Sequence, residues 1–193
     1  MTSTESTSRE RVTLGLAQAI EEKGYATSTI ADIARCAGVS KRTFYENFSD
    51  KESCFLALYI YLSQHAVAAI REVLTMTPTW PEQLHAVANA YIQALRKRPA
   101  LTRAIFLEIN SAGPPALATR RVVFDAFAEL LQDLAKEGRR NKPALRELSR
   151  PMAMAIVAGV NELALLTIEA GRSMRLGDLE QVACDLFTAV VGD

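Results

Sequence analysis

Residues 29–48 of the chain read TIADIARCAGVSKRTFYENF, and this stretch predicts two short helices joined by a tight turn. Four apolar residues of the first helix share one face by helical spacing: Ile30, Ile33, Ala34 and Ala37. Thr29 and Asp32 have the spacing of a capping box at its start. We expect Gly38 to end this helix, because glycine adopts the left-handed backbone angles of a helix exit without steric cost.

The second helix is predicted over residues 41–47, with Ser40 as its N-cap. Phe44 and Phe48 lie four residues apart, so both can pack back on the first helix. Two short helices joined by a turn of three or four residues that contains glycine form a helix-turn-helix. The second helix carries basic and polar side chains, which suits a surface that meets DNA.

The stretch GVSKRTFYENFSDKESCF resembles the recognition-helix signature of the TetR family of bacterial transcriptional regulators. The preceding GYATSTIADIARCAGVS resembles the first half of the same family's motif. The likeness covers residues 9–58 and includes Gly38, Tyr45, Phe48 and Lys51. Arg42 departs from the small residue that is common in the family, and Phe44 stands where leucine is common.

The start of the second helix is the part that reaches base edges in this motif, which favours Lys41 and Arg42 as the residues that read bases. Arg42 is expected to bond guanine bidentately. Thr43 suits a thymine methyl group or a phosphate, and the remaining polar residues suit phosphate contacts. The resemblance supports this for the tyrosine and the lysine. The predicted DNA-binding residues are Ser28, Thr29, Ser40, Lys41, Arg42, Thr43, Tyr45, Asn47 and Lys51.

Charge limits the kind of DNA binding that the sequence allows. The 22 basic and 22 acidic residues of the 193 balance, and residues 1–52 alone contain seven Lys and Arg against eight Asp and Glu. This argues against a protein that coats nucleic acid through its net charge. A site-specific protein needs only a few well-placed cations.

The rest of the chain predicts an all-α fold without strand-like alternation. Further helices are expected at residues 9–23, 51–74, 82–98, 99–110, 115–137, 151–171 and 178–191, with a short one at 143–148 and a basic turn at 138–142. We expect a helix-turn-helix DNA-binding domain at residues 1–52. A larger effector-binding and dimerisation domain should follow at 53–193.

One helix-turn-helix contacts little DNA, so a homodimer on a palindromic operator is expected. The apolar helical faces favoured for its interface contain Val123, Phe127, Leu130, Leu134, Ala155, Gly159 and Leu163. The resemblance also implies a small-molecule effector, which large apolar side chains with a few polar groups would bind. The candidate residues are Trp80, Tyr91, Phe106, Asn110, Phe127, Asn161 and Glu162. These features predict a repressor that a largely apolar effector releases from DNA.

Other functions leave no comparable pattern. The sequence has no glycine-rich phosphate loop, no nucleophile elbow and no Cys/His cluster with metal-ligand spacing, so we expect no enzyme, cofactor or metal site. No apolar run approaches the roughly 20 residues of a membrane span and no signal peptide is recognisable, so we expect a cytoplasmic protein without a membrane partner. Control by a protein partner, oxidation of Cys36 in the first helix of the motif, and activation instead of repression remain open.

Overall fold

The computed structural model describes residues 7–77, 79–111, 113–169 and 176–192, and all regular structure within them is α-helical. The all-α fold class is therefore confirmed for the described part of the chain. In chain order the helices are α1 Ser8–Lys23, α2 Ile30–Ala37, α3 Lys41–Asn47, α4 Lys51–Met76, α5 Trp80–Lys97, α6 Pro99–Ser111, α7 Gly113–Asn141, α8 Arg150–Glu169 and α9 Leu176–Val191.

The chain forms two compact units, and neither is continuous in sequence. The N-terminal unit comprises Met1–Leu62 and Arg98–Leu117. The C-terminal unit comprises Ser63–Lys97 and Ala118–Asp193. The division that the sequence suggests, between residues 52 and 53, falls inside α4, whose residues belong to both units. The functions expected of the two parts, DNA binding first and effector binding second, stay a prediction.

The N-terminal unit is built around α1, which buries the predicted stripe of Val12, Leu16 and Ile20. Gly15 allows α1 to lie directly against α2. A Cβ placed on Gly15 would stand 2.7 Å from the Cβ of Ala37 and 2.8 Å from the Ile33 carbonyl oxygen. Such a separation is shorter than ordinary van der Waals contact, so only glycine fits this crossing without a shift of the backbone.

The helix-turn-helix forms with the caps that its sequence predicts. Thr29 and Asp32 make the capping box of α2, and Ser40 Oγ accepts the N–H of Thr43 at 3.0 Å to cap α3. Gly38 has φ 61° and ψ 39°, and Val39 N–H donates to the Ala34 carbonyl at 2.9 Å. The left-handed glycine thus closes α2 as a helix C-terminus requires.

The C-terminal unit has its own core, formed by α4, α5, α7, α8 and α9. Its most buried large side chains include Ile70, Leu130, Leu134 and Phe187, each 1% exposed. Packing at one end of this core involves Gly138 of α7. A Cβ on Gly138 would meet the indole of Trp80 at 2.4 Å, so the absence of a side chain there makes room for the ring.

Two predicted segments, at residues 138–142 and 143–148, have a different structure from the one expected. The expected basic turn at residues 138–142 is helical as far as Asn141, because α7 continues through Gly138. The short helix expected at residues 143–148 does not form. Its backbone bonds elsewhere, with Arg146 N–H donating to the Val191 carbonyl at 2.7 Å, and its apolar Leu145 and Leu148 are buried. The predicted end of α8 at Gly171 lies outside the described residues.

By length and mean hydropathy, two helices in the described part of the chain reach the values of a membrane span: α4, and Arg150–Ile168 in α8. The expectation that no segment does so is therefore wrong by this measure, because isolated polar residues lower the mean hydropathy only slightly. About a third of the most apolar stretch of each helix is buried. The core helices of water-soluble proteins reach the same length and mean hydropathy. Independence from membranes stays a prediction.

Candidate DNA-binding surface and ligand pocket

The exposed face of α3 carries the residues that the sequence predicts to read DNA. Lys41 and Arg42 are exposed in its first turn, and Tyr45 is 58% exposed. Tyr45 lies edge-on against the buried ring of Phe44, with ring centroids 5.5 Å apart. The apolar face of α3 thus anchors the helix while Lys41, Arg42 and Tyr45 project from the other face.

Arg42 contacts an acidic neighbour on the same helix. Its Nε donates to Glu46 Oε1 at 3.0 Å, and the two side chains are 89% and 56% exposed. An exposed pair at this spacing contributes only about 0.3–0.5 kcal/mol, so a guanine can displace the carboxylate. Thr43 is half-buried and its hydroxyl lies 3.0 Å from that of Ser40, so both hydroxyls belong to the cap of α3.

Two arginines of α1 hold the motif together, a role that the sequence analysis missed. Arg11 Nη2 donates to the carbonyls of Ala37 and Gly38 at 3.1 and 2.9 Å, at the C-terminus of α2. Arg9 Nη1 donates to the Asn47 carbonyl at 2.5 Å, at the C-terminus of α3. A cation near a helix C-terminus is also favoured by the helix dipole. These contacts tie the C-terminus of each motif helix to α1.

Ser28 and Thr29, predicted to bond phosphate, are occupied within the protein. Ser28 is 2% exposed, and its Oγ donates to the carbonyls of Ala19 and Gly24 at 3.1 and 2.6 Å. The hydroxyl of Thr29 donates to Asp32 Oδ2 at 2.5 Å. Lys23 lies 2.6 Å from the same carboxylate, which together with the Thr29 hydrogen bonds lowers the pKa of Asp32. Ser28 is therefore not accessible to a phosphate, whereas Thr29 is exposed and stays a predicted contact.

Asn47 and Lys51 have similar internal roles. Asn47 Nδ2 donates to Ser8 Oγ at 3.0 Å and to the Thr43 carbonyl at 2.8 Å. Lys51 Nζ donates to the carbonyls of Tyr25 and Ser28 at 2.9 and 3.0 Å and lies 4.3 Å from the centre of the Tyr25 ring. In this conformation the ammonium group organises the loop between α1 and α2.

An apolar pocket of about 70 Å³ lies in the core of the C-terminal unit. Side chains from α4, α5, α7, α8 and α9 line it, and none of them is charged. Among its apolar lining residues are Ile70, Leu84, Leu130, Ile156, Val160 and Phe187. Helical periodicity alone places such residues in the core; the gap between them depends on how five helices meet.

Three of the seven predicted ligand residues line this pocket. Tyr91 and Phe127 meet edge to face with centroids 5.6 Å apart, and the Tyr91 hydroxyl donates to Asn161 Oδ1 at 3.2 Å. Asn161 Nδ2 donates in turn to the Val157 carbonyl at 2.9 Å, one turn back in α8. Tyr91 and Asn161 are the lining residues that carry polar side-chain groups, although the pocket surface itself is almost entirely apolar.

The other four predicted ligand residues do not line the pocket. Trp80 packs on Gly138 and lies 5.8 Å from the Phe187 ring, so it closes the core behind the pocket. Glu162 is exposed on α8. Phe106 and Asn110 belong to the N-terminal unit, where the Phe106 side chain is 8% exposed. Asn110 Nδ2 donates a hydrogen bond to the Phe106 carbonyl at 2.8 Å. Periodicity did not distinguish these residues from pocket residues.

Of the residues predicted for the dimer interface, some are buried within the single chain and others are accessible on its surface. Val123, Leu130 and Leu134 are 5%, 1% and 1% exposed within one chain, so they are core residues and unavailable to a partner. On α8, Ala155 is exposed, Leu163 is half-buried, and a Cβ on Gly159 would meet nothing within 4 Å. Larger apolar side chains are exposed at the ends of the two stretches favoured for the interface, 122–134 and 152–166: Val122, Met152 and Leu166.

All three cysteines are free, and burial raises the pKa of each thiol. Cys36 is half-buried, and its Sγ lies 3.7 Å from Glu22 Oε1. The reactive form of cysteine is the thiolate. A raised pKa beside a carboxylate disfavours that form, which weighs against the oxidation alternative. In the described residues no group of His, Cys, Asp and Glu side chains has the arrangement of a metal site.

The fold and the exposed recognition helix define a DNA-binding transcriptional regulator of the helix-turn-helix class. Residues 15–58 match the family described as bacterial regulatory proteins, tetR family. This match identifies the helix-turn-helix of the chain as one of the TetR type.

Three proteins that are similar to the chain are described as regulators. The transcriptional activator FasR of Mycolicibacterium smegmatis is 25% identical over 150 residues, which cover 78% of this chain and 67% of FasR. The fatty acid degradation regulator FadR of Bacillus halodurans has the same fold, with a TM-score of 0.79 at 21% identity over 96% of both chains. FadR of Bacillus subtilis, solved in complex with stearoyl-CoA, aligns with a TM-score of 0.77 at 19% identity over 94% of this chain and 98% of FadR.

Proposed function

We propose that the protein is a cytoplasmic repressor that binds a palindromic operator as a homodimer and releases it when an acyl-chain effector binds. The observation that carries this proposal is the apolar pocket of the C-terminal unit, in the same chain as an exposed recognition helix. The stearoyl-CoA bound to the FadR of Bacillus subtilis supports an effector with a long apolar chain.

Lys41, Arg42 and Tyr45 make the principal DNA contacts in this proposal, with Thr43 beside them. Arg42 exchanges Glu46 for the acceptors of a guanine, and Tyr45 bonds a phosphate. Ser40 contributes through its position at the start of α3. One bidentate base contact discriminates by about 1–3 kcal/mol, so Arg42→Ala relaxes the preference at one base pair of each half-site.

The homodimer pairs the exposed faces of α7 and α8. Ala155, Gly159 and Leu166 lie along one side of α8, and the small residues allow a second helix to approach closely. A two-fold pair of recognition helices reads half-sites about 34–36 Å apart, or a multiple of that distance. The operator is accordingly a palindrome, and each half-site meets the same side chains.

Release follows from the size of the pocket. Its volume of about 70 Å³ is roughly half that of the about 150 Å³ cavity that accommodates one benzene. An acyl chain therefore enters only if the lining helices separate. A ligand shifts an equilibrium toward the state that it binds better, here the expanded state. Ile70 of α4 lines the pocket, and the same helix begins at Lys51 in the N-terminal unit, so displacement of α4 changes operator affinity.

Activation is the second candidate function, and the FasR relative, described as a transcriptional activator, favours it. The same DNA contacts and the same pocket serve either sign of regulation. The position of the operator relative to the promoter separates the two.

Fluorescence anisotropy with palindromic DNA from the region flanking the gene tests the proposal. We expect dodecanoyl-CoA or octadecanoyl-CoA to lower operator affinity about 5- to 150-fold, the range of typical allosteric coupling. Coenzyme A without an acyl chain is the control and should leave the affinity unchanged. Equal operator affinity with and without every acyl-CoA tested would rule out release by acyl chains, and transcription in vitro then distinguishes repression from activation.

A further inference from the structure

We infer that the Tyr91 hydroxyl, held by Asn161, binds the carbonyl oxygen of the effector, so that the pocket selects neutral acyl compounds over alkyl compounds and free carboxylates. This inference rests on the proposed function, because it assigns the polar part of the same pocket.

The geometry of the pair leaves the hydroxyl available for exchange. The Tyr91 ring lines the pocket and is fixed by the edge-to-face contact with Phe127, so its hydroxyl has a defined position next to an almost entirely apolar pocket surface and meets the ligand when the pocket expands. Its bond to Asn161 Oδ1 measures 3.2 Å, whereas O–H···O bonds in proteins are commonly about 2.7–2.8 Å. A carbonyl oxygen that approaches closer than this offers the hydroxyl a better acceptor.

Asn161 is positioned to support this exchange. Its Nδ2 is tied to the Val157 carbonyl at 2.9 Å, which fixes the side chain and directs Oδ1 toward Tyr91. The pair makes hydrogen bonds within the protein, so polar atoms lie beside the apolar cavity without a large desolvation cost. An alkyl chain leaves the pair as it is and gains nothing from it, whereas an acyl group gains a hydrogen bond.

The rest of the lining decides between a neutral carbonyl and a carboxylate. Among the described residues no charged side chain lines the pocket, so a carboxylate at Tyr91 would lie in an apolar environment without a cation from this lining to balance it. Burial of an unpaired carboxylate is strongly unfavourable. The subsite therefore fits a thioester, ester or amide carbonyl, with the remainder of the ligand attached beyond it.

Binding measurements with three probes test the subsite: dodecanoyl-CoA, its thioether analogue S-dodecyl-CoA, which lacks only the carbonyl oxygen, and dodecanoate. In the wild-type protein we expect dodecanoyl-CoA to bind about fivefold more tightly than S-dodecyl-CoA, the effect of one hydrogen bond. Dodecanoate should bind more weakly than dodecanoyl-CoA. Tyr91→Phe should bring the ratio of the two CoA compounds to about one, since it removes the donor.

Leu131→Ala is the matched control, because it alters the same pocket without removing a hydrogen-bonding group or the Phe127 ring that fixes Tyr91. It should weaken both CoA compounds equally and keep their ratio. A ratio that is the same in wild type and Tyr91→Phe, or tightest binding of dodecanoate, would overturn the inference, as would failure of all three probes to bind. If the ratios come out as expected but operator affinity does not respond, the subsite stands and the proposed regulation fails.

Discussion

The ammonium group of Lys51 lies between the carbonyls of Tyr25 and Ser28 and above the Tyr25 ring. Its residue type and its place in the motif predict a phosphate contact. In the structure, Lys51 instead donates hydrogen bonds to backbone carbonyls of the loop before α2. The sequence does not predict this internal contact, because the two carbonyls precede Lys51 by 26 and 23 residues and no local pattern indicates a hydrogen bond over that separation.

Lys51→Met should therefore lower the stability of the N-terminal unit even without DNA. The substitution keeps most of the apolar stem but removes the donor, and hydrogen bonds to charged groups contribute about 1.5–3 kcal/mol each. We expect a loss of about 2 kcal/mol in denaturant unfolding followed by circular dichroism. Arg42→Ala is the control, because its exposed pair with Glu46 contributes little. An unchanged unfolding midpoint for Lys51→Met would refute the loop contact.

At the scale of helices, the sequence specifies where the motif begins and ends better than how its parts are joined. The caps at Thr29, Gly38 and Ser40 are local signals, and all three form as predicted. Arg9 and Arg11 are different, because each reaches a helix terminus 26–38 residues away. Pairing over that separation depends on how α1 crosses the motif, which the apolar stripe of α1 does not define.

Gly15→Ala tests the close crossing of α1 and α2. An added methyl group would overlap the Ala37 Cβ and backbone atoms, and overpacking of this kind costs about 1–3 kcal/mol. The gain in helix propensity of about 1 kcal/mol only partly offsets this cost. We expect a lower melting temperature and weaker operator binding. A higher melting temperature would mean that propensity dominates and that the crossing is looser than described.

Acid should destabilise the N-terminal unit through four carboxyl groups whose pKa values are lowered. The main partner is Arg98 for Glu21, Arg35 for Glu22 and Lys23 for Asp32, while Asp50 accepts the Ser53 N–H. The unfolded chain, with the ordinary values of 4.5 and 3.8, takes up protons more readily. Stability is thus fully present above these values and is lost as the pH falls through the lowered ones.

Thermal unfolding between neutral pH and about pH 3 measures this effect. We expect a nearly constant melting temperature down to about pH 5 and a fall below it. Asp32→Asn should show a smaller fall, because it removes one of the four groups. A variant that falls as steeply as the wild type would show that Asp32 does not contribute to the acid response.

At the scale of the whole molecule, the sequence predicts an all-α regulator. It does not predict which apolar residues line the ligand pocket, contact a partner or lie in the core. Phe127 and Leu130 line the pocket, whereas Val123 and Leu134 are buried outside its lining. Spacing on a helix puts all four on broadly one side. Which of them border the pocket depends on the axial offset of α5, α8 and α9, which residue type does not reveal.

Gly159→Leu tests the proposed homodimer. Since a Cβ at Gly159 meets nothing within 4 Å, the single chain should tolerate leucine and keep its fold. In a dimer that pairs this face of α8, the larger side chain separates the helices, so we expect dissociation to monomers in analytical ultracentrifugation. Ala94→Leu, on an exposed site of α5, is the matched control. Unchanged association of Gly159→Leu would move the interface away from this face.

The passage of residues 98–117 back into the N-terminal unit has a consequence for modularity. Leu101 and Ile109 of α6 are 2% and 4% exposed, and Arg98 binds Glu21 through two hydrogen bonds of 2.6 and 2.7 Å. A cassette that ends at Leu62 would omit all of these contacts. Exchange of DNA-binding parts between regulators of this kind therefore requires a spliced graft of two segments, and recombination at a single point should yield poorly folded chimaeras.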